Sequence, residues 1–186
     1  MKIKEKNIIV EKGVIQDAVF IVAEPGKTNS GMNRRGQMAK TSRNRDGSWT
    51  KKGEKSFFGY KVHTKTRRGS KIVESIAVTT AKIPDNAIDL SNSDDIVYRD
   101  KGYTGTPTRA KGNGTMCRGN LTPRERLRNK RISKKRNKGE HPFGTIHRAM
   151  NGGNTKLTTL YRVFVQQLFV FSAYNIYRLA TLTRMQ

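Results

Sequence analysis

Three carboxylates stand in contexts that could do chemistry. Asp17 lies inside the apolar run VIQDAVFIV, where a charge is costly unless it is paired or bound to a metal. Asp100 closes the run DIVYRD, and ligands of open α/β sheets gather at strand ends. Glu140 is the first acidic residue after Glu125 and follows Lys134, Lys135, Arg136 and Lys138. Oxygen ligands from two strands and a helix are what hard Mg²⁺ takes when phosphate supplies the rest, and two such ions suit an in-line displacement at phosphorus. Each residue also has a plainer reading: Asp17 as an edge-strand residue, Asp100 as a turn former, Glu140 as the i,i+4 partner of Arg136.

The elements that must position them read strand-first. Residues 14–22 form a strand stopped by Pro25-Gly26, and residues 27–50, rich in Gly, Ser, Asn, Arg and Lys, form a basic loop insertion. Residues 57–65 alternate, which puts Phe58, Tyr60 and Val62 on one face and Lys61, His63 and Lys65 on the other. A turn at residues 67–70 returns the chain as a hairpin through residues 71–80. Pro84 opens a short helix, residues 95–98 form a fourth strand, and residues 114–118 form a fifth. Residues 123–136 form a basic helix anchored by Leu127 and Ile132. A second helix starts near residue 141 or continues the first, and residues 157–183 form a long amphipathic helix or helix pair. Its aromatics, Tyr161, Phe164, Phe169, Phe171, Tyr174 and Tyr177, are expected in the core. The order predicts an α/β domain with a mixed sheet. The core covers residues 1–150, and a C-terminal helical segment, 151–186, packs on it.

Charge narrows the partner. With 38 Lys and Arg against 14 acidic residues in 186, the formal charge is +24 and the pI about 10.7. That excludes a basic partner and points to a polyanion, since each neutralised phosphate releases counterions. The distribution is segmental: residues 27–71 carry 14 basic and 2 acidic side chains, 72–100 carry 2 and 6, and 101–139 carry 13 and 1. Lys51, Lys52 and Lys55 beside Trp49 and Phe57 suit a DNA backbone contact. Lys130, Arg131, Lys134, Lys135 and Arg136 suit phosphate along a helix face, a solvated face being the plainer reading, and His63 suits a phosphate or surface contact. The one cysteine, Cys117, excludes an internal disulfide or a cysteine zinc site. No signal peptide or membrane span fits the pattern, so a cytoplasmic, nucleoid-associated protein is expected.

Six phrases carry a resemblance: IQDAVFI, DGSWTKKGEKSFFGYKVH, VTTAKIPDNAIDL, VYRDKGY, LRNKRISKKR and GEHPFG. In this order they resemble the DDE transposases of bacterial and archaeal insertion sequences, over most of residues 13–150. The resemblance implies a ribonuclease-H-like fold and assigns the catalytic and metal-binding carboxylates to Asp17, Asp100 and Glu140, with two Mg²⁺ (or Mn²⁺) ions. It further implies hydrolysis at the element's end to free a 3′-OH, which then attacks target DNA. The partners it implies are DNA, as element ends and target, and a second copy of the chain on DNA.

Departures from the pattern define the alternatives. Family members carry a helical region ahead of the core, so the chain reads as N-terminally truncated. Arg136 matches the family's Arg four residues before the Glu, but His147 stands where a Lys is expected, to hold phosphate, and His141 replaces an Arg. Pro84 replaces a His, and the turn after the second strand is shorter. One alternative is therefore an inactive remnant that binds DNA without cutting it. Another, from composition alone, is a basic RNA-binding structural protein, which has no use for Asp17.

Overall fold

The computed structural model describes residues 12–26, 31–32, 36, 44–137 and 140–184. They form strands β1 (Val14–Ala23), β2 (Ser48–Lys52), β3 (Lys55–Arg67), β4 (Val73–Thr80), β5 (Ile96–Arg99), β6 (Gly112–Thr115) and β7 (Asn154–Thr155). The helices are α1 (Pro123–Arg136), α2 (Glu140–Ala149) and α3 (Leu160–Arg184). The seven strands make one curled mixed sheet of order β2-β3-β1-β5-β6, with β4 also on β3 and β7 also on β1. β1, β2, β3 and β4 pair antiparallel, whereas β5 and β7 run parallel to β1, and β6 parallel to β5. The architecture is mixed α/β and compatible with a ribonuclease-H-like fold.

Period-2 alternation gives the sheet two different faces. On one, Ile21, Ala23, Tyr60, Val62 and Val73 pack against Ile146 of α2 and Val163, Phe171 and Tyr174 of α3. Further along β1 and β5, Ile15 and Tyr98 meet Ile132 of α1. α3 also grips the β3–β4 turn. The Asn175 amide donates to Val73 O and accepts from Val73 N at 2.8 and 2.9 Å, and the Tyr174 hydroxyl donates to Lys71 O at 3.0 Å.

The other face is polar and covered. Lys61, His63, Lys65, Gln16 and Arg99 are all buried there. The segment 81–95 lies over them and supplies the counter-charges. Lys61 pairs with Asp85 at 2.8 Å, Lys65 with Asp95 at 3.2 Å, and Arg99 with Asp89. Four of the six carboxylates in the acidic stretch of the charge map, Glu74, Asp85, Asp89 and Asp95, therefore pair with buried cations of the sheet.

This corrects the expectation that His63 makes a phosphate or surface contact. His63 is fully buried, with Nε2 2.9 Å from the Thr79 hydroxyl, and does not contact a nucleic-acid surface. Alternation of basic with apolar residues reports two faces, and cannot tell solvent from an acidic cover. Other differences are local. The expected 27–50 loop falls mostly outside the described residues, and its last three residues already belong to β2, which turns into β3 at Gly53 (φ 61°). The short helix after Pro84 is a single 3-10 turn, Asp85–Ala87, and the fifth strand begins two residues earlier than expected. The C-terminal segment is one 25-residue helix. Only one side of it meets the core, so Phe171 and Tyr174 are buried while Tyr161, Phe169 and Tyr177 are exposed. Among the described residues no helix is long and apolar enough to cross a membrane.

Burial pushes the His63 imidazole down from its ordinary 6.5 to about 4, with Lys61 in the same direction and Asp85 opposing. The unfolded chain then takes up the proton first. Stability contributed by neutral His63 is complete above pH 6.5 and is lost as pH falls through that value toward 4. Between pH 7 and 5 the expected loss from this group is about 2 kcal/mol. Urea unfolding at both pH values measures it, and His63→Gln is expected to flatten the dependence. Equal slopes in the two proteins would show that the buried imidazole is not the source.

Candidate active site

The decisive local geometry is a break in one edge of β1. β5 pairs with β1 only at Val14 and Ile15, and β7 only at Val22 and Ala23. Between them, among the described residues, no strand lies beside residues 16–21. The Val22 N–H on this edge reaches Gly153 O, so by strand parity the Ala18 N–H points into the break. There the Asp17 carboxylate accepts it at 2.9 Å.

Asp17 and Asp100 share this break. The parallel register matches Ile15 with Tyr98, and two residues further along each strand stand Asp17 and Asp100. Asp100 follows directly on β5 and caps a 3-10 turn, Lys101–Tyr103, by accepting the Gly102 N–H at 2.7 Å. A cleft of about 560 Å³ opens beside it, walled by Lys101, Met116, Cys117, Arg118 and Asn129. From the end of α1, Arg136 Nη2 donates to Asp17 Oδ2 at 3.0 Å, with only 14% and 23% of the two side chains exposed.

The electrostatics follow from that crowding. Burial is the main cause holding the Asp17 carboxyl above the usual carboxylate range; Arg136 and the Ala18 N–H oppose it, and the charges of Asp100 and Asp85 add to it. Asp85 went unnoticed in the sequence because it reads as the first-turn acid of a helix after Pro84. Its Lys61 pair and the 3-10 turn bring it within electrostatic reach of Asp17. Tyr103, at the end of the 3-10 turn after Asp100, is buried, 1% exposed. Its hydroxyl is buried without a hydrogen-bond partner, and its ionisation is suppressed by burial and by Asp85, Asp17 and Asp100.

Glu140 opens α2, four residues after Arg136; its side chain lies outside the described residues. Among the described residues no group of three His, Cys, Asp or Glu side chains could hold a metal ion. The donor chemistry of the pair nonetheless fits a hard divalent cation. Two carboxylates within electrostatic reach, one disfavoured by its neighbour's charge, supply oxygen alone, and a cation relieves their repulsion.

The model of the transposase DDE domain family matches residues 10–176. The chain belongs to this family. No curated protein and no solved structure matches it. Transposase DDE domains generally use divalent metal ions, and the family implies DNA as partner.

The basic residues read from the sequence fall into separate places in this DDE domain. Lys51, Lys52 and Lys55 are exposed on the β2–β3 hairpin, where Trp49 packs edge-on to Phe58 with ring centroids 5.3 Å apart. Lys130, Arg131 and Lys134 are exposed on α1. Lys135 lies over the Tyr98 ring, 4.8 Å from its centroid, and Arg136 turns inward to Asp17. His147 is exposed on α2, its ring beside Gly153, where a Cβ would lie 2.9 Å from it.

The Asp17–Arg136 contact makes a testable energetic statement. Removing the guanidinium leaves a mostly buried carboxylate without its partner, and removing the carboxylate does the reverse. Arg136→Gln and Asp17→Asn are each expected to lower stability. The double variant should recover part of the loss, with a coupling of about 1–3 kcal/mol in a denaturant cycle. Additive effects would show that the contact is not maintained in solution.

Proposed function

We propose that this chain is the catalytic core of an insertion-sequence transposase, cutting and joining DNA strands at a site made by Asp17, Asp100 and Glu140. The observation that supports the reading is that the β1–β5 pairing ends at Ile15 and Tyr98, two residues before Asp17 and Asp100, whose charges reach each other at the break in β1 of a DDE domain. The three carboxylates would hold Mg²⁺ or Mn²⁺, two ions in all, and the ions when bound would supply Lewis-acid stabilisation to the phosphate undergoing displacement.

The protein's own contribution is positional. β1 and β5 fix two carboxylates on a rigid sheet, and the Gly102 N–H holds Asp100 by one oxygen. The exposed lysines of the β2–β3 hairpin and the exposed cations of α1 would neutralise phosphates on both sides of the break. A water would open the phosphodiester at the element's end, and the 3′-OH so freed would attack target DNA, each step an in-line displacement without a covalent protein intermediate.

One observation favours a second reading. Arg136 engages Asp17 Oδ2, so an internal cation already compensates part of the site's charge. Together with His147 at the position of an expected lysine, that arrangement suits a domain that binds DNA without cutting it.

Nicking of supercoiled DNA in Mg²⁺ or Mn²⁺ separates the two. The expected result is metal-dependent nicking that EDTA abolishes and that Asp100→Asn lowers at least a hundredfold, with DNA binding retained. Binding without nicking in the unmodified chain would establish the non-cutting reading instead.

A further inference from the structure

A second cleft runs along α1 on the same side of the sheet as Asp17 and Asp100. It encloses about 480 Å³ between α1 and the β5–β6 edge, within the range of about 300–1,000 Å³ typical of ligand clefts. Its floor is apolar: Ile96 and Tyr98 from β5, Leu127 and Ile132 from α1. Its rim is cationic, with Arg124, Arg128, Arg131 and Lys135.

Two of these cations are committed to the fold. Arg128 donates to Thr115 O at 2.7 Å and Asn113 O at 3.2 Å, and Lys135 donates to the Tyr98 hydroxyl at 3.2 Å. Arg124 and Arg131 are exposed, and neither makes an ion pair among the described residues. Leu127 is 51% exposed and Ile96 38%, unusual for aliphatic side chains amid so many charges. The backbone of β6 is kept low to admit the floor: a Cβ on Gly114 would lie 2.5 Å from the Tyr98 ring.

The combination selects its occupant. Basic side chains alone would suit the phosphates of any nucleic acid. An apolar floor between them has no counterpart on the outside of a duplex, whose surface is sugar and phosphate with its base faces stacked away. An unpaired strand offers both: phosphates for Arg124 and Arg131, and exposed base faces for Leu127 and Ile96. The cleft also leads to the carboxylates. Tyr98 and Asp100 are two residues apart on one face of β5, and Ile132 lies one helical turn from Arg136, which holds Asp17. From Arg124 to Arg136 the helix covers about 18 Å, room for a few nucleotides.

We propose that this cleft binds an unpaired DNA strand next to the reacting phosphate, so that the substrate of the Asp17–Asp100 site is DNA locally opened into single strands. The inference rests on the transposase reading above and specifies the form of its substrate. Leu127 and Ile96 contact bases, and Arg124 and Arg131 contact phosphates.

Fluorescence anisotropy with a labelled 15-nucleotide strand and the matching duplex, in EDTA, tests it without turnover. Leu127→Ala is expected to weaken single-strand binding about five- to tenfold, the scale of one lost stacking contact, and duplex binding less than twofold. Leu127→Met, which keeps apolar bulk, should restore single-strand binding. Arg131→Gln should reduce the slope of single-strand affinity against log salt by about 0.7, the value of one phosphate contact. Circular dichroism should show all three variants folded, since both side chains are at least half exposed or polar. Equal effects of Leu127→Ala on strand and duplex, or no effect on either, would overturn the proposal. Absence of nicking by the unmodified chain would sink the enzymatic reading while leaving this selectivity to be read independently.

Discussion

Arg99 and Gln16 meet on the buried polar face of the sheet, Nη2 to Oε1 at 2.9 Å, one residue before Asp100 on β5 and one before Asp17 on β1. The bond ties the two strands at the level just below the candidate site. The same residues also bind the covering segment: Arg99 pairs with Asp89, and the Gln16 amide donates to Ile88 O at 2.6 Å and accepts from Leu90 N at 3.2 Å. Without this junction the short parallel pairing of β1 and β5, two residue pairs long, has little else to fix its register. A slip by one residue would move Asp17 to the wrong face relative to Asp100. The juxtaposition of the two carboxylates thus depends on a buried guanidinium that touches neither of them.

Buried ion pairs of this sort offset a large desolvation cost and tolerate the loss of one partner badly, by about 3–5 kcal/mol. Lys61, Lys65 and Arg99 each have a carboxylate from segment 81–95. That segment buries Ala81, and ion pairs together with the hydrogen bonds to Gln16 tie it to the sheet. The division of labour is clear in the two faces. Helices α1, α2 and α3 cover one by hydrophobic contact, and an irregular acidic segment covers the other by charge.

How much of this could be read beforehand depended on the kind of signal. β1, β3 and β4 were legible from β-branched and aromatic runs, and α1 from its basic run anchored by Leu127 and Ile132, whereas its reciprocal cap, Thr122 with Glu125, emerges from the structure. Asp17 and Asp100 were legible because a charge among apolar neighbours, or at a strand end, is locally anomalous. Their adjacency was not, because it follows from a parallel register set by Arg99 and Gln16, residues far apart in the chain. His63 was misplaced for the opposite reason: its local pattern was ordinary, and the distant aspartates that neutralise Lys61 and Lys65 beside it leave no local trace of the face's burial. β7, two residues long, left no pattern at all, although it closes one side of the break that exposes Asp17.

Arg128 has a consequence of another kind. β6 is the terminal strand at its end of the sheet, and its outward carbonyls at Asn113 and Thr115 would offer a template for a strand from another molecule. The guanidinium of Arg128 occupies both. A chain with many exposed cations repels its copies in solution but is concentrated by any polyanion it coats, where repulsion is screened. Crowded in that way, the protein keeps its sheet from growing sideways because one arginine has already taken the place of the next strand.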